Sequence, residues 1–176
     1  MYEEELAPAL KARVNQMIEE DPSAMPGMIA GRLKVAEAAV VRAFPGDMHT
    51  FVSPEYFDRI WEEMTGWEKT TFICQASGAV VEVKGRLPKG RHGHGYFNLM
   101  EKDNPLGGHL RVSELGGICF LEKPFFGLES MSVQFYDKAG AHMFAVYAGR
   151  EKRALIPSVK QGFHDLKTKI VKGENS

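Results

Sequence analysis

The pattern of apolar and polar positions changes near residue 69. Before that point apolar residues recur every three or four positions, the period of an amphipathic helix. After it apolar and polar residues alternate, the period of a half-buried strand. Because most of these strands follow one another without intervening helices, they must pair antiparallel. The sequence therefore predicts an α+β fold, in which small N-terminal helices precede a large antiparallel β-sheet with flanking helices.

Four helices are predicted before the sheet and one after it. The fourth helix has Ser53 as its N-cap and Pro54 in its first turn, and Gly66 ends it as a C-terminal glycine. The predicted helices cover approximately residues 6–21, 28–33, 36–44, 54–66 and 159–170. The predicted strands cover residues 70–75, 79–84, 96–100, 109–112, 118–122, 131–136 and 141–148. We expect two units, an N-terminal helical lobe over residues 1–46 and an antiparallel-sheet domain over 47–176.

Composition narrows the class of protein. With 176 residues, 44% hydrophobic and 26% charged, the chain fits a soluble globular protein. A net charge of −1 argues against nucleic acid as the main partner. No apolar run approaches a membrane span, and the acidic N-terminus does not resemble a secretory signal, so a cytoplasmic protein is expected. Cys74 and Cys119 lie in apolar strand-like runs, which favours reduced thiols over a disulfide.

Residues 29–44 have the spacing of a helix-turn-helix motif. A DNA-reading helix needs side chains that reach base edges, such as Arg, Asn, Gln or Ser. The second helix here offers Glu37 and Arg42 among alanines and valines. Three small helices that form a bundle or lid are therefore favoured, and a DNA-binding regulator is the weaker alternative.

Residues 90–110 contain His92, His94 and His109 among several glycines. On a strand, two residues two positions apart share a face, so His92 and His94 could chelate one ion. The flanking glycines indicate a loop instead, and no nearby Cys, Asp or Glu completes a first shell. Solvated loop histidines are favoured, with a zinc or iron site as the alternative.

His109 follows Gly107-Gly108 and opens a predicted strand. A lone histidine there is usually structural. Paired glycines would keep the backbone clear of a planar ligand. Large apolar residues, among them Phe125 and Phe126, could cover such a ligand. Its carboxylates could meet Lys84, Arg86, Arg111 or Lys123, although a solvated polar face is the default interpretation of these cations. No nucleophile elbow, phosphate-binding loop or HExxH motif is present.

These segments resemble the intracellular haem-utilisation carrier family of the ChuX/HutX type, which is related to one half of the larger HemS/ChuS-type haem proteins. The likeness covers the chain from about residue 25. Its most specific part is His94-Gly95-Tyr96-Phe97-Asn98-Leu99, followed at the family's spacing by Gly108-His109. It also rests on the residue groups 44–47, 87–90, 125–127 and 163–166.

The resemblance implies a cytoplasmic haem-binding homodimer that passes imported haem to a haem-degrading enzyme. Carried over by position, His109 matches a histidine implicated in holding haem, while Cys74 stands near a position where some members have a second histidine. We therefore expect His109 as the metal ligand, with Tyr96, Arg111, Phe125 and Phe126 also binding haem (iron protoporphyrin IX), and no membrane or nucleic-acid partner. The alternative is an enzyme that degrades haem and releases its iron.

Overall fold

The computed structural model describes residues 2–173, with side chains from residue 8 onward. The helices are α1 (Tyr2–Glu20), α2 (Pro26–Leu33), α3 (Glu37–Ala43), α4 (Phe57–Thr65) and α5 (Pro157–Lys172). The strands are β1 (His49–Val52), β2 (Thr70–Ala76), β3 (Ala79–Gly85), β4 (Gly90–Gly93), β5 (Tyr96–Leu99), β6 (Gly108–Leu110), β7 (Leu115–Leu121), β8 (Ser132–Asp137), β9 (His142–Ala148), β10 (Arg150–Glu151) and β11 (Ala154–Leu155). None of the helices within residues 2–173 is long and apolar enough to cross a lipid bilayer.

The predicted α+β class is confirmed. The largest sheet has six strands in the order β1-β7-β8-β9-β2-β3, and every neighbouring pair is antiparallel. A separate sheet of three strands has the order β4-β5-β6, and β10 and β11 form a short hairpin. Helices lie against the large sheet, as the change from helical to strand periodicity predicts.

One face of the large sheet forms the main core. Its apolar side chains pack with those of α4, α5 and the three-stranded sheet. Phe135 and Phe144 stack with ring centroids 4.5 Å apart, and Phe163 of α5 meets Phe120 edge to face at 5.4 Å. Such aromatic pairs add to the stabilisation that comes from burying apolar area. Trp61 of α4 is fully buried, and its indole N–H donates to the Pro88 carbonyl at 2.9 Å.

The opposite face of the sheet carries the N-terminal helices. Val14, Val40 and Phe44 from these helices form a second core with Cys119 and Tyr136 from the sheet. The helices thus pack directly on β7 and β8, and the division of the chain at residue 46 stays a prediction. Both cysteines are free. Burial raises the pKa of the Cys119 thiol to about 12, which keeps it protonated.

Two local predictions are wrong and a third holds only in part. β1 is missed, because a four-residue strand at the sheet edge is too short to show an alternating pattern. His92 lies in β4 rather than in a loop, because the glycines that suggested a loop border a short strand paired with β5. Gly66 does end α4 as predicted, but with φ −80° it does not use the left-handed conformation expected of a C-terminal glycine.

A cleft of 560 Å³ lies between the start of α2 and the part of the sheet that the helices leave uncovered. Glu37 and His142 both line it. Burial removes water from both side chains, which raises the pKa of Glu37 to about 7 and lowers the pKa of His142 to about 4. His142 Nε2 lies 3.0 Å from Gln134 Oε1. Both groups are therefore favoured in their neutral forms inside the folded protein.

Glu37→Gln is expected to stabilise the protein in mild alkali and leave it unchanged in acid. Because the folded-state pKa of Glu37 is raised from 4.5 to about 7, its contribution is complete below pH 4.5 and is lost as pH rises through 7. At about 1.4 kcal/mol per pKa unit, the gain at pH about 8 is about 3 kcal/mol. Urea unfolding of both proteins at pH about 4.5 and about 8 measures it.

The difference between the two proteins isolates Glu37, because His142 contributes equally to both. The contribution of His142 to stability has the opposite pH dependence: it is complete above pH 6.5 and is lost as pH falls through about 4. An equal gain for Glu37→Gln at both pH values would show that glutamine acts through packing rather than through the lost ionisation.

Candidate functional site

The candidate site lies on the outer face of the three-stranded sheet. Phe97 and Leu99 of β5 point into the main core and are buried. Because side chains alternate along a strand, Tyr96 and Asn98 face outward. Register aligns Asn98 with Arg91 of β4 on one side and with His109 of β6 on the other. The outer face therefore carries a row of Arg, Asn and His across its three strands.

The structure explains why glycine stands at two positions, 90 and 108, in the segment that leads to His109. A Cβ added to Gly90 would lie 2.1 Å from the Phe97 ring, so glycine is needed for that ring to pack. Gly108 has φ +143°, a conformation that other residues rarely adopt, and space beside it is open. Gly90 thus serves the core, and Gly108 sets the backbone that leads into His109.

His109 is exposed to solvent on this face. Its Nδ1 lies 2.6 Å from Asn98 Oδ1. Its ring meets the Tyr96 ring edge to face, with centroids 5.8 Å apart. No hydrogen bond joins its Nε2 to any residue within the described range 2–173. The imidazole is therefore held on one side and open on the other.

Arg111 is anchored to Tyr96. The guanidinium donates to the Tyr96 hydroxyl at 2.5 Å and lies 5.1 Å from the centre of the Tyr96 ring. The hydrogen bond to Tyr96 raises the pKa of Arg111 above its ordinary value. An exposed positive charge thus sits beside the same aromatic ring that contacts His109, in position to meet an anionic group of a ligand.

A concave surface of 570 Å³ adjoins the row on the β4 side. It is lined by Lys89, Arg91, His94, Asn98 and Met100, among others. Met100 is 78% exposed, which is unusual for a large apolar side chain. Lys89 and Arg91 therefore line the same concave surface as an exposed apolar side chain, Met100.

The structure brings together three of the five predicted haem-binding residues, namely Tyr96, His109 and Arg111. Phe125 and Phe126 lie on the loop after β7. Phe125 contacts the Lys123 ammonium, 4.3 Å from the ring centre, and the Phe126 N–H donates to Ser23 Oγ at 3.1 Å. Within residues 2–173 no ring contact or hydrogen bond joins either ring to His109, and their part in the site stays a prediction.

Sequence reasoning missed Asn98, Arg91 and Met100. Asn98 belongs to the Gly-Tyr-Phe-Asn-Leu block that carries the family resemblance, but its residue type alone indicates no role in binding. Its role depends on the register between β5 and β6, which the sequence does not specify. The positions of Arg91 and Met100 on the outer face likewise become clear only from the pairing of β4 with β5.

His92 and His94 do not form a chelating pair. His92 Nε2 bonds Asp58 Oδ1 of α4 at 2.7 Å, and its ring packs on Phe97. His94 lies in the turn between β4 and β5 with φ +53°. In the part of the chain that the structure describes, no group of three or more His, Cys, Asp or Glu side chains could hold a metal ion.

Comparison with known proteins shows what this chain is similar to. The family described as haem utilisation ChuX/HutX matches residues 50–166. The chain is 37% identical over 150 residues to the intracellular heme transport protein HutX of Vibrio cholerae, covering 85% of this chain and 78% of HutX. Its structure matches the heme-binding protein ChuX with a TM-score of 0.80 at 27% identity, over 90% of this chain and 99% of ChuX.

A larger protein shares the fold. The heme-degrading enzyme ChuS of Escherichia coli O157:H7 matches with a TM-score of 0.77 at 17% identity, over 93% of this chain but only 46% of ChuS. One half of ChuS thus has the architecture seen here, as the resemblance implies. Since the family match spans more than half of the chain and the HutX likeness covers most of both proteins, the chain belongs to the haem-utilisation ChuX/HutX family.

Proposed function

We propose that this protein is a non-enzymatic haem carrier that accepts imported haem in the cytoplasm and passes it to a haem-degrading enzyme. The observation that carries the proposal is the exposed His109 imidazole, which is held through Nδ1 and open at Nε2. The names of the relatives support it, since HutX is a heme transport protein and ChuX a heme-binding protein.

The residues on this face fit haem. Haem supplies an iron that accepts an imidazole lone pair and a flat apolar ring with two carboxylates. His109 would ligate the iron, while Tyr96 and the exposed Met100 would cover apolar ring surface. Arg111, held by Tyr96, would pair with a propionate. The face thus offers one strong ligand, apolar cover and positive charge together.

A carrier must release what it binds. A site on an exposed sheet face, with a single protein ligand, leaves much of the haem accessible to an acceptor protein. A deeply enclosed site with two strong ligands would retain it. The open position of His109 therefore favours transfer over storage or chemistry on the bound haem.

The carrier acts as a homodimer built through its sheets. Strand β3 is an edge of the six-stranded sheet, and Val80 and Val81 on it are 59% and 51% exposed. A long exposed apolar edge strand is a ready surface for pairing with another chain. The open edge supports the dimer, and sedimentation equilibrium of the apo protein tests it: a monomer at micromolar concentration would contradict it.

Titration of the apo protein with hemin is expected to give a saturable, one-to-one Soret shift. The loaded protein is then expected to give up its haem to apomyoglobin, an acceptor that holds haem more tightly. Absorbance spectra measure both steps, with serum albumin as a nonspecific control. A spectrum of free hemin only would contradict haem binding.

Incubation of the loaded protein with ascorbate separates the carrier from a haem-degrading enzyme. A carrier is expected to keep its Soret band when catalase removes free peroxide. Loss of the band with iron release in the presence of catalase would instead support the enzyme and contradict the non-enzymatic proposal.

A further inference from the structure

The side-chain amide of Asn98 has only one orientation that its neighbours allow. Its Nδ2 lies 3.1 Å from the Arg91 carbonyl, 3.0 Å from the Gly93 carbonyl and 3.3 Å from the Tyr96 carbonyl. Backbone carbonyls accept hydrogen bonds and never donate them. Reversing the amide would point its oxygen at three other oxygens. The NH2 group must therefore face the turn between β4 and β5, and the oxygen Oδ1 must face β6.

This orientation decides which nitrogen of His109 carries the proton. Oδ1 of an amide is an acceptor only, and it lies 2.6 Å from His109 Nδ1. A hydrogen bond at that distance requires a proton on Nδ1. A neutral imidazole has a single N–H, so the lone pair must then be on Nε2. Unbonded histidine side chains in water prefer the opposite tautomer, with the proton on Nε2.

We infer that Asn98 is a positioning residue that holds His109 in the Nδ1–H tautomer, so that the outward Nε2 presents its lone pair to an incoming electron-pair acceptor. The relevance of this to haem rests on the proposed function. The arrangement itself is a property of the apo protein, because the three backbone carbonyls exist whether or not a ligand is bound.

The same contact does two further things for a ligating imidazole. It fixes the rotation of the ring, which Tyr96 braces from its edge. It also makes the ligating nitrogen more basic, because an acceptor at the N–H side pushes electron density across the ring. Asn98 therefore both aims and strengthens the ligand without touching the iron.

Nitrogen NMR of the apo protein tests the inference directly. At pH about 8, ¹⁵N shifts distinguish the two neutral tautomers of His109. Wild type is expected to show Nδ1–H. Asn98→Ala is expected to shift His109 toward Nε2–H and to weaken hemin binding by about 10–100-fold, the usual effect of losing such a partner.

Two further variants separate positioning from structural support. Asn98→Leu keeps a side chain of similar size but offers no acceptor to His109, so it is expected to lose the Nδ1–H preference as Asn98→Ala does. Asn104→Ala is the matched control, because Asn104 also bonds backbone groups, Arg86 O and Leu106 N–H, on the loop between β5 and β6. It is expected to change neither tautomer nor hemin affinity.

The outcomes are distinct. If either Asn98→Ala or Asn98→Leu keeps the Nδ1–H tautomer, the inference is overturned. If the tautomers behave as expected but wild type gives no Soret shift with hemin, the proposed function fails and the inference about Asn98 stands.

Discussion

Replacing His109 with alanine is expected to remove the saturable Soret shift that hemin gives with wild type. The imidazole is the iron ligand proposed for this face, so its loss should exceed the effect of losing a supporting residue, about 10–100-fold in affinity. The fold should be unaffected, because the His109 side chain is exposed and contributes to neither core cluster. Hemin titration by absorbance measures the binding, and thermal unfolding of the apo protein checks the fold.

The two neighbouring histidines serve as controls for this substitution. His94 lies on the turn beside the same concave surface, and His92 is bonded to Asp58. His92→Ala and His94→Ala are each expected to bind hemin as wild type does. If His94→Ala removes the Soret shift while His109→Ala retains it, the ligand is His94. Retention of the shift in all three variants would reject imidazole ligation.

The periodicity of the chain was enough to predict the architecture, because burial dictates it. Alternation along residues 70–84 and 131–148 sends side chains such as Phe72, Phe135 and Phe144 into the main core, and a helical period in 159–170 matches the buried stripe of α5. Short elements could not be predicted this way. β1 and β4 have four residues each, and their strand conformation comes from partners distant in sequence, β7 for the former and β5 for the latter.

The candidate site was predicted only as far as individual residue types suggest chemistry. His109 and Arg111 stand out because imidazole and guanidinium are common haem partners, and the family block added Tyr96. Asn98 could not be assigned a role from its residue type, since its effect depends on its lying opposite His109 on the neighbouring strand. Phe125 and Phe126 were selected for being large and apolar, a property that identifies no location. Register and loop direction decide where such residues lie, and neither shows in periodicity.

Phe97 links the main core to the candidate site on the outer face of the three-stranded sheet. This residue precedes Asn98, and strand alternation sends its ring inward while Asn98 faces out. The ring is 5% exposed and packs edge to face on Phe57 at 5.0 Å and on Trp61 at 5.7 Å. Through these contacts the three-stranded sheet is fixed to α4. The geometry of the outer face therefore depends on a ring buried on the inner one.

Phe97→Ala is expected to lower the free energy of unfolding by about 3–5 kcal/mol, the usual result of emptying a buried aromatic site. Because typical domains have about 5–15 kcal/mol in total, this is a large fraction of the stability. Loosening of the three-stranded sheet should also weaken hemin binding, although Phe97 itself faces away from the site. Urea unfolding and hemin titration at a temperature where the variant remains folded measure the two effects.

Phe126→Ala is the matched control, since it removes the same ring from a side chain that is 75% exposed. Its stability is expected to stay within about 0.5 kcal/mol of wild type, as for most surface substitutions. Its hemin affinity decides at the same time whether Phe126 belongs to the haem site. A loss for Phe97→Ala no greater than that for Phe126→Ala would show that the three-stranded sheet is held by contacts other than this ring. In that case the sheet would be held by its other contacts, among them the buried Leu99 and the His92–Asp58 pair that joins β4 to α4.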